Sequence, residues 1–125
     1  MTSATRQLRG RKARASGRAS EWLIAFWLMA KGYRILGFRL RTAQAEIDIL
    51  ARKGAVAAVV EIKRRATLAE ALTAVGPRQR QRLLRTAESL LMRRRDLAGA
   101  QIRLDLVALA PGRLPRHIAD AWREE

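Results

Sequence analysis

Nine apolar residues in a row, "WLIAFWLMA", fill positions 22–30 without a polar face. A helix written this way is apolar nearly all round. It is expected to be buried on more than one side, by its own sheet and, if the chain self-associates, by a second subunit. The spacing predicts this helix over residues 20–31, stopped by Gly32 as a C-terminal cap. Beyond it the period shortens to about two. "YRILGFRLR" (33–41) mixes apolar and basic positions and "EIDILA" (46–51) follows, both reading as strands. "RKGA" is a turn, with Gly54 able to take positive φ. "VAAVVEIK" (56–63) is a third strand; its unbroken apolar run reads as buried on both faces until it ends in Glu61 and Lys63. The second and third strands are close enough to form an antiparallel hairpin.

"TLAEALTAVGP" then offers a capping box, Thr67 with Glu70, and a short helix ending at Gly76. Pro77 opens the next helix, over residues 77–95. Its apolar stripe carries Leu83, Leu84, Ala87, Leu90 and Leu91; its other face carries arginines, among them Arg78, Arg82 and Arg85. "QIRLDLVALA" (101–110) alternates as a fourth strand, and "PRHIADAW" (115–122) closes as a short helix or turn. The order helix, three strands, helix, strand predicts an α+β, sandwich-like domain over residues 17–125, with a mixed sheet flanked by helices. Residues 1–16 read as a basic, disordered arm; the first eighteen residues contain no acid and in composition also imitate an organellar transit peptide.

Composition narrows the function. The 125 residues suit one domain with a single core, and 49% hydrophobic content excludes a disordered chain. Cysteine is absent, which excludes disulfides, thiol nucleophiles and cysteine zinc sites and fits a cytoplasmic protein. His117 is the single histidine, expected at the surface or a helix cap, so a histidine-rich metal site is excluded. The net charge of +15 comes almost wholly from arginine. The planar arginine fork binds two phosphate oxygens at once, so nucleic acid is the leading partner and an anionic membrane surface the second. The apolar run at 22–30 is far short of the ~20 residues that span a bilayer, so no membrane insertion is expected. Trp22 and Trp27 are expected to pack on the first helix and Trp122 to cover a sheet edge.

The acids carry the chemistry. Glu46 and Asp48 share a strand face by the two-residue pleat, and so do Glu61 and Lys63 on the next strand. A turn near Gly54 brings Asp48 opposite Glu61 or one dyad away. An unpaired buried carboxylate costs several kcal/mol or takes up a proton. Two readings compensate it. In one, Lys63 simply neutralises Asp48 or Glu61 at a sheet end. In the other, the two carboxylates and the main-chain carbonyl of Ile62 offer oxygen ligands to a hard cation such as Mg²⁺.

Asp48 followed by "EIK" at 61–63, with Glu21 upstream on a helix, resembles the PD-(D/E)XK, restriction-endonuclease-like nucleases. "GRASEWLIAFWLMAKGYRIL", "AEIDIL", "VVEIKRR" and "IRLDLVAL" are similar, in order and spacing, to the YraN-like family of small bacterial predicted nucleases. Archaeal Holliday junction resolvases are a more distant likeness. The resemblance covers most of the chain after residue 16. It implies a Mg²⁺- or Mn²⁺-dependent endonuclease acting on nucleic acid, with DNA favoured over RNA and structure-selective cutting over sequence-specific cutting. The alternative is a non-catalytic nucleic-acid-binding module on the same fold. Asp48 and Glu61 would hold the metal with the Ile62 carbonyl, Lys63 would be the catalytic lysine, and Glu21 an additional acid.

Arg41, Arg64, Arg65, Arg78 and Arg82 would meet phosphates. Glu46 and Gln79 are minor candidates, Glu46 either as a supporting acid or as a partner for Arg41. Asp105 matches the family's fourth-strand acid, read here as a structural pair for a core-edge arginine. A homodimer fits both the apolar helix and this type of nuclease. The chain departs from the family at Ser20 and Ala45, where glycine is usual, at Arg39, where asparagine is usual, and near Gln79, where lysine is usual.

Overall fold

In the computed structural model, residues 19–123 are described; the expected basic arm at 1–16 lies outside them. Helix α1 covers residues 19–30. Strands β1 (Arg34–Arg41), β2 (Glu46–Lys53) and β3 (Val56–Arg64) follow. Helices α2 (Leu68–Thr73) and α3 (Pro77–Arg93) and a 3₁₀ turn (Arg95–Leu97) lead to β4 (Gln101–Leu109) and β5 (Arg116–Ile118). The strands form one sheet in the order β1-β2-β3-β4-β5. Only β3 and β4 run parallel; the other neighbours are antiparallel. A parallel pair needs a long crossover, and α2 with α3 provides it. This is the α+β architecture that the periodicity predicts, with a mixed sheet between helices.

Local chemistry sets the element ends. Gly32, at φ 97, ends α1, where the Tyr33 and Gly32 amides donate to the Leu28 and Met29 carbonyls, each at 3.0 Å. The Thr67 hydroxyl accepts from the Glu70 amide at 3.1 Å and caps α2. Pro77 occupies the first turn of α3, where its missing N–H costs nothing.

The sheet has a core on each face. Ile24, Ala25 and Leu28 of α1 pack on Ile49, Ala58, Val60 and Val107. Leu83 and Ala87 of α3 pack on Ile47, Leu50, Ala57 and Val59. Alternate residues of β3 therefore enter opposite cores, as its unbroken apolar run predicts. The regular pleat breaks near Asp48. Ile47 and Ile49 are two residues apart yet lie in cores on opposite faces. The β1–β2 ladder pairs Phe38 with Ile49 and Leu40 with Ile47, passing over Arg39 and Asp48, and Arg39 sits at φ 48. The simple alternation that put Glu46 and Asp48 on one face does not run through this stretch.

Two expectations are corrected. Arg116–Ile118 forms a strand, not a helix, and only the residues after it turn. The open edge of β4 offers unpaired backbone groups, and three residues of β5 satisfy part of it, Leu106 facing Ile118 and Ala108 facing Arg116. Among the described residues helix α1 is covered on one side only. Trp22, Leu23, Phe26 and Met29 are 52%, 70%, 59% and 41% exposed, because three residues of each two turns suffice to meet the sheet. Trp22 packs at a tilt against Phe38 with ring centroids 4.9 Å apart, and Trp27 packs edge-on to His117. Among the described residues no helix is long and apolar enough to cross a membrane.

Candidate active site

The β2–β3 register runs from Lys53 opposite Val56 to Ile49 opposite Val60. The ladder ends at that pair, and Asp48 on β2 and Glu61 on β3 are the next residues in line. The Ile62 amide donates to Asp48 Oδ2 at 2.8 Å, so the carboxylate is held over the end of β3 by a main-chain hydrogen bond. Glu61 is 5% exposed. Its Oε1 lies 3.5 Å from Lys63 Nζ, and its Oε2 is buried with no hydrogen-bond partner among the described residues. The two carboxylates lie within hydrogen-bonding reach of each other.

That crowding has an electrostatic signature. Burial, and then the neighbouring Asp48 charge, push the Glu61 carboxyl up to about 8, and Lys63 only partly offsets them. Burial also raises Asp48, against the opposing pull of the Ile62 amide and Lys63. Without a cation the pair therefore keeps a proton near neutral pH.

Glu21 approaches from the first described turn of α1, where the helix dipole favours a carboxylate. With Ser20, Asp48, Ile62, Arg64 and Leu109 it lines a cavity of about 180 Å³. It is ion-paired with Arg39, and Arg64 Nη2 donates to Ser20 Oγ at 3.0 Å. The structure thus gathers Glu21, Asp48, Glu61, Ile62, Lys63 and Arg64 around the end of β3. Glu46 instead pairs with Arg41 at 2.8 Å on the rim, and its charge adds a small upward push on Asp48. Arg65 is exposed and donates to the Arg64 carbonyl at 2.7 Å. Arg78, Gln79 and Arg82 stand on the first turns of α3. Among the described residues no hydrogen bond or ion pair links these three to the carboxylate pair.

Sequence reasoning did not find Arg39 as the partner of Glu21. Its left-handed backbone suits asparagine, the residue usual there in the family resembled, so the departure from that pattern was the available signal.

A second acid cluster lies on the α1 side of β4. Asp105 is fully buried and accepts from Arg103 Nε and Nη2, each at 2.7 Å, from His117 Nε2 at 2.8 Å and from the Asp120 amide at 3.0 Å. Arg103 also donates to the Tyr33 hydroxyl at 2.6 Å, and Lys31 Nζ meets His117 Nδ1 at 2.6 Å. Burial pushes Asp105 up, but Arg103, His117 and the Asp120 amide together outweigh it and hold the carboxyl below its ordinary range. Asp105 is the structural pair expected of it. His117 is corrected: its side chain is 3% exposed, because β5 turns it inward onto Asp105.

As oxygen donors, Asp48 and Glu61 suit a hard divalent cation, and the partnerless Glu61 oxygen is a vacant acceptor for one. Among the described residues no group of three or more acidic, histidine or cysteine side chains is gathered for a metal, so the two carboxylates would leave most positions to water.

Fold and site together describe a small α+β protein with a paired carboxylate and a lysine at the end of its central strand. The chain belongs to the uncharacterised protein family UPF0102, whose family model matches residues 20–109. It is 57% identical to a UPF0102 protein of Caulobacter vibrioides over 122 residues, 98% of both chains. It is 50% identical to one of Maricaulis maris over 112 residues, 90% of this chain and 88% of the relative. A UPF0102 protein of Agrobacterium fabrum is 46% identical over 112 residues, 90% and 92% of the two chains.

Proposed function

We propose that the chain is a metal-dependent endonuclease of the PD-(D/E)XK type, with Asp48 and Glu61 as the ligands of Mg²⁺ or Mn²⁺. The observation that carries this reading is the Glu61 carboxylate: buried, short of donors and set against a second carboxylate. Such an arrangement is relieved by a shared proton or by a bound cation, and a site of this kind is where the cation reading belongs. A divalent cation there would supply Lewis-acid polarisation of a phosphodiester and an activated water.

The chain's own residues do the rest. Asp48 is oriented by the Ile62 amide, and the Ile62 carbonyl is the third candidate ligand. Lys63, beside Glu61, places an ammonium where negative charge develops and orients the nucleophile. Glu21 is the additional acid, reached from α1 and held by Arg39. Arg64, which lines the cavity, and Arg41, Arg65, Arg78 and Arg82 are the proposed phosphate contacts. Such contacts position a backbone without reading bases, which favours structure-selective over sequence-specific cutting; DNA is the polymer proposed. A cysteine-free chain fits the cytoplasm.

The test is cleavage of plain duplex, branched DNA and RNA in Mg²⁺, Mn²⁺ and EDTA. Metal-dependent cutting, lost by at least 10²-fold in Asp48→Ala and Lys63→Ala, is expected. Tight binding with no cutting in either metal assigns the chain instead to the non-catalytic binding module.

The outward face of α1 supports a homodimer. Trp22, Leu23, Phe26 and Met29 leave on the order of 400 Å² of apolar surface exposed, the size of the largest patch on an ordinary monomer. Two such faces bury roughly 800 Å², below a standard interface, so a weak dimer is expected. Sedimentation should show mass rising with concentration, and Phe26→Glu should abolish the rise. A concentration-independent monomer contradicts the pairing.

A further inference from the structure

A cavity of about 470 Å³ lies away from the carboxylate pair, between the start of α3 and the first half of β4. Leu84, Ile102 and Leu104 give it an apolar floor, Trp122 an aromatic wall, and Arg78 and Arg80 a cationic rim. Its volume is within the ~300–1,000 Å³ usual for small-ligand sites. Its position follows from the topology: β5 pairs with β4 only from Leu106 to Ala108, and the Ala121 amide reaches back to the Leu104 carbonyl at 3.1 Å, so the residues after β5 form one side of the space beside α3.

Three features of this cavity ask for an anion with a flat ring. First, the positive N-terminus of α3 is reinforced rather than neutralised. A helix start favours acids, yet the first turn of this 17-residue helix has none and carries Arg78 and Arg80 instead. Gly76 supplies no capping side chain, so the first-turn amides lack that acceptor too. Second, Arg80 Nε is buried and has no hydrogen-bond partner among the described residues. Leaving a charged donor unmade in this way is costly. Third, the indole is fixed. Trp122 Nε1 donates to the Leu72 carbonyl at 3.0 Å, and the Arg80 guanidinium lies 5.8 Å from the ring centroid. Indole and guanidinium are both flat surfaces on which bases stack. The one acid of the lining, Asp120, is half exposed and 4.0 Å from Arg123, placed to accept from a base amino group or a sugar hydroxyl.

We propose that this cavity binds one nucleotide unit, its base against Trp122 and its phosphate at Arg78, Arg80 and the first turn of α3. A phosphate there would pair with the Arg78 and Arg80 guanidiniums and meet the positive, uncapped start of α3, which no apolar ligand does. The site needs no cation at Asp48, and although Arg78 belongs to both readings, nucleotide binding without metal is read separately from metal-dependent cutting.

The test follows tryptophan fluorescence of the full chain, without metal, during titration with AMP, adenosine and inorganic phosphate. AMP is expected to bind saturably, at least tenfold tighter than either fragment. Arg80→Gln should weaken AMP at least tenfold, Arg78→Gln should weaken it less, and Arg93→Gln, at the other end of α3, should leave it unchanged. Trp122→Phe should remove the fluorescence response. Thermal melts of each variant separate lost binding from lost folding, and the Arg78 variant carries the test if Arg80→Gln does not fold. A single-stranded oligonucleotide that displaces AMP assigns the site to a polymer strand; undisturbed AMP assigns it to a free nucleotide. Phosphate binding as tightly as AMP, no saturation by about 10 mM AMP, or an undiminished Arg80→Gln affinity overturns the proposal.

Discussion

Asp105 and Glu61 stand on neighbouring parallel strands, one row apart: Val60 is opposite Asp105, and Glu61 is opposite Leu106. Both are buried, and their surroundings are opposite. Asp105 receives four donors, from Arg103, His117 and the Asp120 amide. Glu61 has a lysine at 3.5 Å, a carboxylate for a neighbour and one oxygen with no partner among the described residues. The first acid is lowered and belongs to the fold; the second is raised to about 8 and costs the fold stability. Burial of an acid is therefore no sign of function by itself. The donor supply around it separates the two cases.

The largest expected effect comes from the saturated acid. Asp105→Ala strands Arg103 and His117 around an empty position and should cost about 3–5 kcal/mol, as breaking buried ion pairs does. Chemical denaturation of the variant measures it, and a loss within ~0.5 kcal/mol would erase the distinction between the two clusters. Asp105 is lowered on folding, so its contribution is present above 3.8 and lost as pH falls through its folded value.

Glu61 has the opposite sign. Its folded pKa is raised from 4.5 to about 8, so the folded state binds the extra proton between those values. Its contribution is intact below 4.5 and is lost as pH rises through about 8. Metal-free protein should thus lose stability from weakly acidic to weakly alkaline pH. Glu61→Gln removes the anion and should stabilise metal-free protein at pH 8 by about 0.5–2 kcal/mol while flattening that slope. Thermal melts across the range check both, and a destabilised, still pH-dependent variant counts against the donor-starved description.

Much of this was legible in the sequence. The period of two, the apolar run of β3 and the turn at Gly54 were enough to set Asp48 against Glu61, and Thr67 and Pro77 marked their helices. What the sequence hid was tertiary. His117 reads as a surface residue until β5 forms and turns it onto Asp105. The apolar outer face of α1 reads as core until the sheet is seen to cover one side only. The pleat break at Arg39 and Asp48 is invisible to any alternating template, since it depends on how β1 pairs with β2. The cavity at Trp122 needs the residues after β5 to come back beside α3, which no local pattern encodes.

Calorimetric titration with Mg²⁺ at pH 8 probes the contrast between the two acids most directly. Saturable binding is expected, with proton release from the carboxylate pair, weakened at least tenfold in Asp48→Asn and Glu61→Gln and unchanged in Asp105→Asn. Binding that survives Glu61→Gln, or no binding by the unmodified chain, would contradict the assignment of the donor-starved pair as the cation site.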